Sequence, residues 1–121
     1  IRYLSEVAFI ELGDATITGI PGELYPEIAV GGIENPIGAD YTMAAQEVPH
    51  LRSQLPGKLN LMVNLANDAI GYIIPKSEWD NEAPWIYDEK DETYGEVVSL
   101  GPNTGPIIYQ NIFKLIEESK D

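Results

Sequence analysis

The sequence predicts an α/β fold in which helices pack on a mixed sheet and a C-terminal helix lies on that sheet. Two β-branched runs separated by Gly13-Asp14 predict a hairpin, and the apolar run 58–65 predicts a further strand. The last part of the chain carries apolar residues at helical spacing, which makes a sandwich of strands alone a worse fit. With 121 residues, residues 1–121 are expected to form one domain or a fragment of a larger one.

The first thirty residues are predicted to form the hairpin and a short helix. Val7–Leu12 and Ala15–Ile20 are its strands, because Gly and Asp between them tolerate the positive φ of a tight turn. Glu23–Val30 is predicted to be helical, with Pro26 in the first turn, where a missing amide donor costs little. Gly31 then ends the helix.

The remaining chain is predicted to alternate loops with one strand and one helix. Residues 34–56 form an irregular connection with a helical turn around Met43 to Gln46, and residues 58–65 form a strand buried on at least one face. Residues 71–75 are extended and closed by a proline. Asn103 or Thr104 caps a final helix, and Pro106 suits its first position. The apolar face of that helix consists of Ile108, Ile112, Leu115 and Ile116.

Composition excludes several classes of function. The chain has no cysteine, one histidine and a net charge of −13, so disulfide frameworks, thiol nucleophiles and His-rich metal sites are excluded. Nucleic acid is not an expected partner, because phosphate binding needs clustered Lys and Arg. Residues 78–96 hold 8 acidic and 1 basic residue, and this stretch is expected to be a solvated insertion. The single histidine, His50, is expected to be structural or solvated.

Three local patterns are candidates for a functional site, and each has a structural alternative. Glu23 follows a strand and a Pro-Gly corner, where α/β folds place their sites, or it is a helix-start carboxylate. Residues 64–75 place polar groups and Tyr72 beyond a core strand, or they only make turns. Residues 94–105 bring Tyr94 to a helix N-terminus that suits an anion, or they only form the helix entry.

In this order, the three patterns resemble the C-terminal part of the catalytic domain of neutral ceramidases. The resemblance rests on Ile-Pro-Gly-Glu at 20–23, Leu-Ala-Asn-Asp-x-x-Gly-Tyr at 65–72, and Tyr94 with Ser-Leu-Gly-Pro at 99–102. It spans about residues 7 to 116. Each motif is short, so its specificity lies in the order of the motifs and in the strands and helix around them.

The resemblance implies part of a zinc-dependent amidohydrolase that cleaves the N-acyl amide of a ceramide-like lipid. It implies that Glu23 and Tyr72 are zinc ligands and that Tyr94 lies beside the reacting amide. The partner it implies is the upstream part of the same catalytic domain, which carries two histidine ligands and the catalytic serine in this family. Two ligands do not hold catalytic zinc, so the chain alone is expected to bind zinc weakly and to be inactive. A secreted or membrane-associated location follows from the resemblance only.

The sequence also departs from the family pattern. Ile73-Ile74 stands where the family has Thr-Thr, and the interval between Tyr72 and Tyr94 is extended. The alternative from another class is a non-catalytic acidic interaction domain that binds through the aromatic residues Trp79, Trp85 and Tyr87, since Trp and Tyr are favoured interface anchors. A member of the family that has kept the fold and lost catalysis is a third reading.

Overall fold

The computed structural model describes residues 2–34, 39, 41–80 and 94–120, and it confirms the α/β class. Five strands lie in this part of the chain: β1 (Ala8–Leu12), β2 (Ala15–Gly19), β3 (Glu23–Leu24), β4 (Leu59–Val63) and β5 (Tyr72–Ile73). The helices are α1 (Pro26–Val30), α2 (Tyr94–Val97) and α3 (Thr104–Ser119), with 3₁₀ turns at Leu51–Gln54 and Lys76–Glu78.

The strands form two small sheets. In the main sheet, β2 lies between β1 and β4 and pairs antiparallel with β1 and parallel with β4. The predicted hairpin is confirmed, and Gly13 in its turn has the positive φ of 60°. The second sheet is a parallel pair of β3 and β5. Because parallel strands need a crossover connection, residues 20–58 run between β2 and β4 and carry β3 and α1 with them.

The core lies between α3 and the two sheets. The helix is amphipathic, and its residues Ile108, Ile112 and Ile116 are buried at helical spacing, as predicted. They pack in one cluster with buried side chains from the loops and short strands, namely Ile20, Leu24, Ile28, Leu51, Leu55, Ile70 and Ile73. Helix α3 also contacts β1 and β5, so it lies on the sheet as the sequence predicts.

A carboxylate is buried beside the first turn of α3. Glu47 is fully buried, and its Oε1 accepts a hydrogen bond of 3.1 Å from the amide of Lys76. Its Oε2 has no hydrogen-bond partner among the described residues. Gly105 allows this approach, since a Cβ there would lie 2.8 Å from Oε1 and 2.4 Å from the Ile74 carbonyl oxygen. Burial raises the pKa of Glu47, against the lowering effect of the Lys76 amide.

Several sequence predictions about local structure are wrong. Glu23 and Leu24 form a strand, and α1 begins only at Pro26, because β3 pairs with β5 there. No helical turn forms at residues 43–46. The side chains of β4 alternate between half-buried and exposed, so neither of its faces is fully buried.

The acidic stretch also differs from the prediction at its two ends. Glu78, Asp80 and Glu96 are buried, although a solvated insertion was expected. The Glu78 carboxylate accepts a hydrogen bond of 2.9 Å from the Glu34 amide, which offsets part of the cost of burying it. Residues 81–93 lie outside the described residues. No described helix has both the length and the apolar character that crossing a membrane requires.

Replacing Ile112 with alanine should destabilise the fold. The side chain is fully buried in the core, so I112A is expected to lower the free energy of unfolding by about 2–5 kcal/mol. Urea denaturation of the wild type and the variant measures this change. The matched control is I107A on the same helix, where the side chain is 55% exposed and the expected change is within about 0.5 kcal/mol. Equal losses in both variants would contradict the assignment of the buried face.

Replacing Glu47 with glutamine should change how stability depends on pH. The folded state raises the pKa of Glu47, so its contribution to stability is complete below the unfolded pKa and is lost as the pH rises through the folded value. Glutamine cannot ionise, and E47Q is therefore expected to gain stability relative to the wild type as the pH rises from 4 towards 7. Urea denaturation across this pH range measures the difference. E11Q, at an exposed position of β1, is the control, and parallel profiles for wild type and E47Q would refute the claim.

Candidate functional site

Three chain segments meet at one place, and they are the three patterns that the sequence singles out. The amide of Glu23 donates to the Gly71 carbonyl oxygen at 3.0 Å, and the amide of Tyr72 donates to the Val98 carbonyl oxygen at 3.0 Å. The amide of Tyr25 donates to the Ile73 carbonyl oxygen at 3.1 Å. Residues 71–73 therefore lie between residues 22–25 on one side and Val98 on the other.

Two glycines allow this close approach of three backbones. A Cβ on Gly22 would lie 2.4 Å from the Gly71 carbonyl oxygen, which is closer than atoms can come without movement. Gly71 has a φ of +87°, and a Cβ there would lie 1.8 Å from the Val98 carbonyl oxygen. Both residues therefore need to be glycine, one for space and the other for space and conformation. Further hydrogen bonds join the Gly22 carbonyl to the Leu65 amide at 3.1 Å.

The structure brings two of the predicted site residues together. Glu23 on β3 is the register partner of Tyr72 on β5. Directly opposite residues of a strand pair project to the same face of the sheet, so the carboxylate and the phenol leave the pair on one side. Both residues are partly buried. A carboxylate and a phenol side by side form a pair of oxygen groups, which we call the oxygen pair.

A second tyrosine completes this face, although the sequence analysis did not select it. Tyr25 follows Glu23 by two positions along an extended chain, its φ and ψ being −63° and 138°, and therefore projects to the same side. Its ring makes an edge contact with the Tyr72 ring at 5.8 Å between centroids. The signal that identifies Tyr25 is its spacing of two residues from Glu23, which places both side chains on one side of an extended chain. The prediction of a helix over these residues conceals this spacing.

Tyr25 also links the oxygen pair to α2. Its hydroxyl lies against Gly95, where a Cβ would come within 2.5 Å. Burial raises the pKa of Tyr25 well above its ordinary value, and the nearby charge of Glu96, followed by Tyr72, Glu27 and Glu78, raises it further. The phenol therefore keeps its proton far above physiological pH, and a protonated hydroxyl can donate a hydrogen bond.

The third predicted site residue, Tyr94, is only partly described. It is the first residue of α2 and precedes Gly95, which contacts the Tyr25 hydroxyl. Its backbone is thus near the site, but its side chain lies outside the described residues. The role predicted for Tyr94 stays a prediction.

Asp68 and Asn67, the other polar residues of the second pattern that the structure explains, have structural roles. Asp68 accepts hydrogen bonds from its neighbour's amide at Ala69, at 2.8 Å, and from the Ser5 hydroxyl, at 2.9 Å. The Ala69 amide, followed by the Ser5 hydroxyl, holds the pKa of Asp68 below its usual value. Asn67 has a left-handed φ of 68°, which asparagine tolerates in turns. These residues shape the turn that leads to Tyr72.

The described part of the chain holds no complete set of metal ligands. Among residues 2–34, 39, 41–80 and 94–120, no three His, Cys, Asp or Glu side chains are grouped so as to hold a metal ion. His50 does not extend the oxygen pair, because its Nδ1 caps the 3₁₀ turn by accepting from the Ser53 amide at 3.3 Å. Its ring also packs on Gly31, where a Cβ would lie 3.0 Å from Cδ2. The described residues fit at most two positions of a zinc centre.

A separate cleft of about 620 Å³ lies elsewhere on the molecule, between α3, residues 3–7 and residues 100–104. Neither Glu23 nor Tyr72 lines this cleft. Its size is typical of small-molecule pockets, but the clustered phenol and carboxylate groups lie at the junction of β3, β5 and α2 instead. We regard that junction as the candidate site, since chemistry depends on reactive groups more than on volume.

Comparison with known proteins adds no family to this description. The chain matches no protein-family model, no curated protein and no solved structure.

Replacing Gly71 with alanine should disrupt the junction. A Cβ there meets the Val98 carbonyl oxygen and requires a left-handed φ, so G71A is expected to lower the free energy of unfolding by more than about 3 kcal/mol. Urea denaturation measures the loss. The control is G32A, since Gly32 has a similar φ of +93° and no described heavy atom beyond its chain neighbours lies within 4 Å of the position of an added Cβ. Its loss should reflect the conformation alone, about 1–2 kcal/mol, and an equal loss in both variants would exclude the clash with Val98.

Proposed function

We propose that this chain supplies two oxygen ligands, Glu23 and Tyr72, to the zinc centre of an amidohydrolase that resembles neutral ceramidase. The observation that carries the proposal is their pairing across β3 and β5 in direct register. These residues lie 49 positions apart in the sequence and belong to separate motifs. The resemblance supplies the identity of the metal and the reaction, and the pairing supports the shared site that it implies.

Each group of the junction has a definite part in the proposed chemistry. A zinc ion held there would lower the pKa of a bound water and polarise the amide carbonyl. Glu23 supplies a carboxylate oxygen and Tyr72 a phenol oxygen on the same side of the strand pair. Tyr25, protonated through burial, orients Tyr72 through their ring contact. Tyr94 is proposed to donate a hydrogen bond to the oxyanion that develops on the cleaved amide.

The remaining parts of the centre belong to the proposed partner. Two nitrogen ligands and a nucleophile on the upstream part of the same catalytic domain would complete the set, and the substrate would be the N-acyl amide of a ceramide-like lipid. A reading of the gene upstream of Ile1 tests this directly. Two histidine motifs and a serine-bearing loop support the proposal, whereas an unrelated neighbouring domain argues against it.

The acidic interaction domain gains no specific support from its aromatic residues. Trp79 is buried, with 6% of its surface exposed, so it does not offer a ring to a partner. Trp85 and Tyr87 lie outside the described residues. The acidic interaction domain therefore stays a prediction that concerns Trp85 and Tyr87.

The isolated chain is expected to bind zinc weakly and to show no amidase activity. A pair of ligands leaves the ion mostly hydrated, so we expect a dissociation constant weaker than about 10 μM, against the far tighter binding of three- or four-ligand sites. Titration with Zn²⁺, followed by amide chemical shifts, should perturb residues 22–25 and 71–73 first. Hydrolysis of an N-acyl sphingosine substrate by the chain should equal the buffer blank.

Variants of the oxygen pair test whether zinc binds to Glu23 and Tyr72. E23Q and Y72F are each expected to weaken zinc binding about tenfold or more, because each removes a ligand oxygen or its charge. E11Q, at an exposed position of β1, changes the net charge equally and should leave binding unchanged. Tight stoichiometric binding, or equal weakening in all three variants, would contradict the two-ligand assignment.

A further inference from the structure

One face of the main sheet is entirely apolar. The strand register places nine residues on it in three rows, and none of the nine has a polar side chain. The rows are Ala8, Gly19 and Val63; Ile10, Ile17 and Leu61; Leu12, Ala15 and Leu59. We call this surface the open face.

The open face is in contact with solvent. Leu12 is 62% exposed, Leu59 59%, Leu61 47%, Ile10 46% and Val63 44%. Five large aliphatic side chains with this exposure present on the order of 450 Å² of apolar surface, within the roughly 300–600 Å² of the largest patch on a typical monomer. The largest apolar patch of a monomer is often functional.

The opposite face of the same sheet is more polar, although it is the covered one. Thr16 and Thr18 of β2 are buried there, and the Thr16 hydroxyl donates to the Asn60 side-chain oxygen. Phe9 and Met62 pack from this face against the core. A sheet whose more apolar face is open to solvent lacks a layer, because each apolar face must be buried against another element.

The strand directions indicate what kind of layer fits. All-parallel sheets have helices over both faces, antiparallel sheets often leave one face to solvent, and mixed sheets such as this one are common in α/β proteins. The pair of β2 and β4 is parallel, and α3 supplies the helix for one side of the molecule. A second copy of the chain is a poorer occupant, since the open face offers about 450 Å² against the roughly 800 Å² per partner of a stable dimer.

The charge of the chain indicates that the residues flanking the apolar stripe of the occupant are basic. The chain carries a net charge of −13, so two copies repel each other and a cationic partner is attracted. Near one end of the open face, Lys58 is already paired with Asp14 at 2.6 Å. At the other end stands Asp68, in the turn after β4, beside Glu6, which precedes β1 and also lines the cleft along α3. Unpaired basic groups on a partner would complement these carboxylates.

We propose that the open face is the docking surface for an amphipathic helix of a partner protein, with an aliphatic stripe and Lys or Arg on its flanks. The stripe covers the three rows, and the basic flanks lie near the carboxylates at the end of the face that holds Glu6 and Asp68. This contact is separate from the oxygen pair, since none of the nine residues belongs to β3 or β5. Its failure would leave the proposed zinc ligands unaffected.

An 18-residue amphipathic peptide with a leucine stripe and lysine flanks serves as the probe. Titrated into the isotope-labelled chain, it should shift the amides of β1, β2 and β4 and bind as a helix. The variants I10S and L61S should each weaken binding about tenfold, and the change at these exposed sites should leave the far-ultraviolet circular dichroism unchanged. I107S, an exposed isoleucine on α3, is the matched control and should bind like the wild type.

Companion measurements separate this occupant from others. A peptide with glutamate flanks and the same stripe should bind at least tenfold more weakly at low salt, because the charges then repel. Equal binding of the lysine peptide to L61S and the wild type would overturn the proposal, as would shifts confined to the cleft along α3. A dimer that light scattering detects and that L61S abolishes would overturn the proposal in favour of a second copy. Binding of the chain to zwitterionic vesicles in preference to the peptide would overturn it in favour of a lipid surface.

Discussion

The stacking of three backbones at Gly22, Gly71 and Val98 is the constraint on which the arrangement of the rest depends. Without side chains at the two glycines, the Pro-Gly corner, β5 and the residues after α2 come within hydrogen-bonding distance of one another. This contact joins segments distant in sequence, so it fixes how the hairpin, the small parallel pair and the C-terminal helix are placed. The oxygen pair exists because the two strands that carry it are held in register here.

The same junction sets the electrostatics of the candidate site. Tyr25, Tyr72 and Glu96 converge there, and burial, followed by the nearby acidic groups, raises the pKa of the Tyr25 phenol. Negative charges beside the phenol disfavour its ionised form. The arrangement is therefore suited to a positive charge, and a zinc ion is one charge that matches a carboxylate and a phenol oxygen. The proposed function rests on this suitability together with the family resemblance.

Regular patterns made part of this fold predictable from sequence. The hairpin turn at Gly13, the strand at 59–63 and the isoleucine face of α3 follow from turn chemistry and periodicity, and the structure has all three. The strand at Glu23 was not predictable locally, since two residues become a strand only through pairing with residues 49 positions later. Tyr25 was missed for the same reason. The burial of Glu78 and Asp80 was hidden because composition reports charge and cannot report which carboxylates the tertiary structure encloses.

The open face and the oxygen pair are adjacent along the chain, which constrains any partner. β2 runs from the open face through Gly19 directly into the corner that presents Glu23, and β4 runs through Val63 into the turn that leads to Tyr72. A helix that covers the Val63 row thus contacts the ends of the same two strands whose continuations carry Glu23 and Tyr72. A partner anchored on the open face can place its own groups near the junction without contacting β3 or β5 first. Docking on the open face and completion of the proposed metal site can therefore be tested separately. They are also compatible in one assembly, because the aliphatic rows supply the binding area and the ends of β2 and β4 lead from the open face towards the junction.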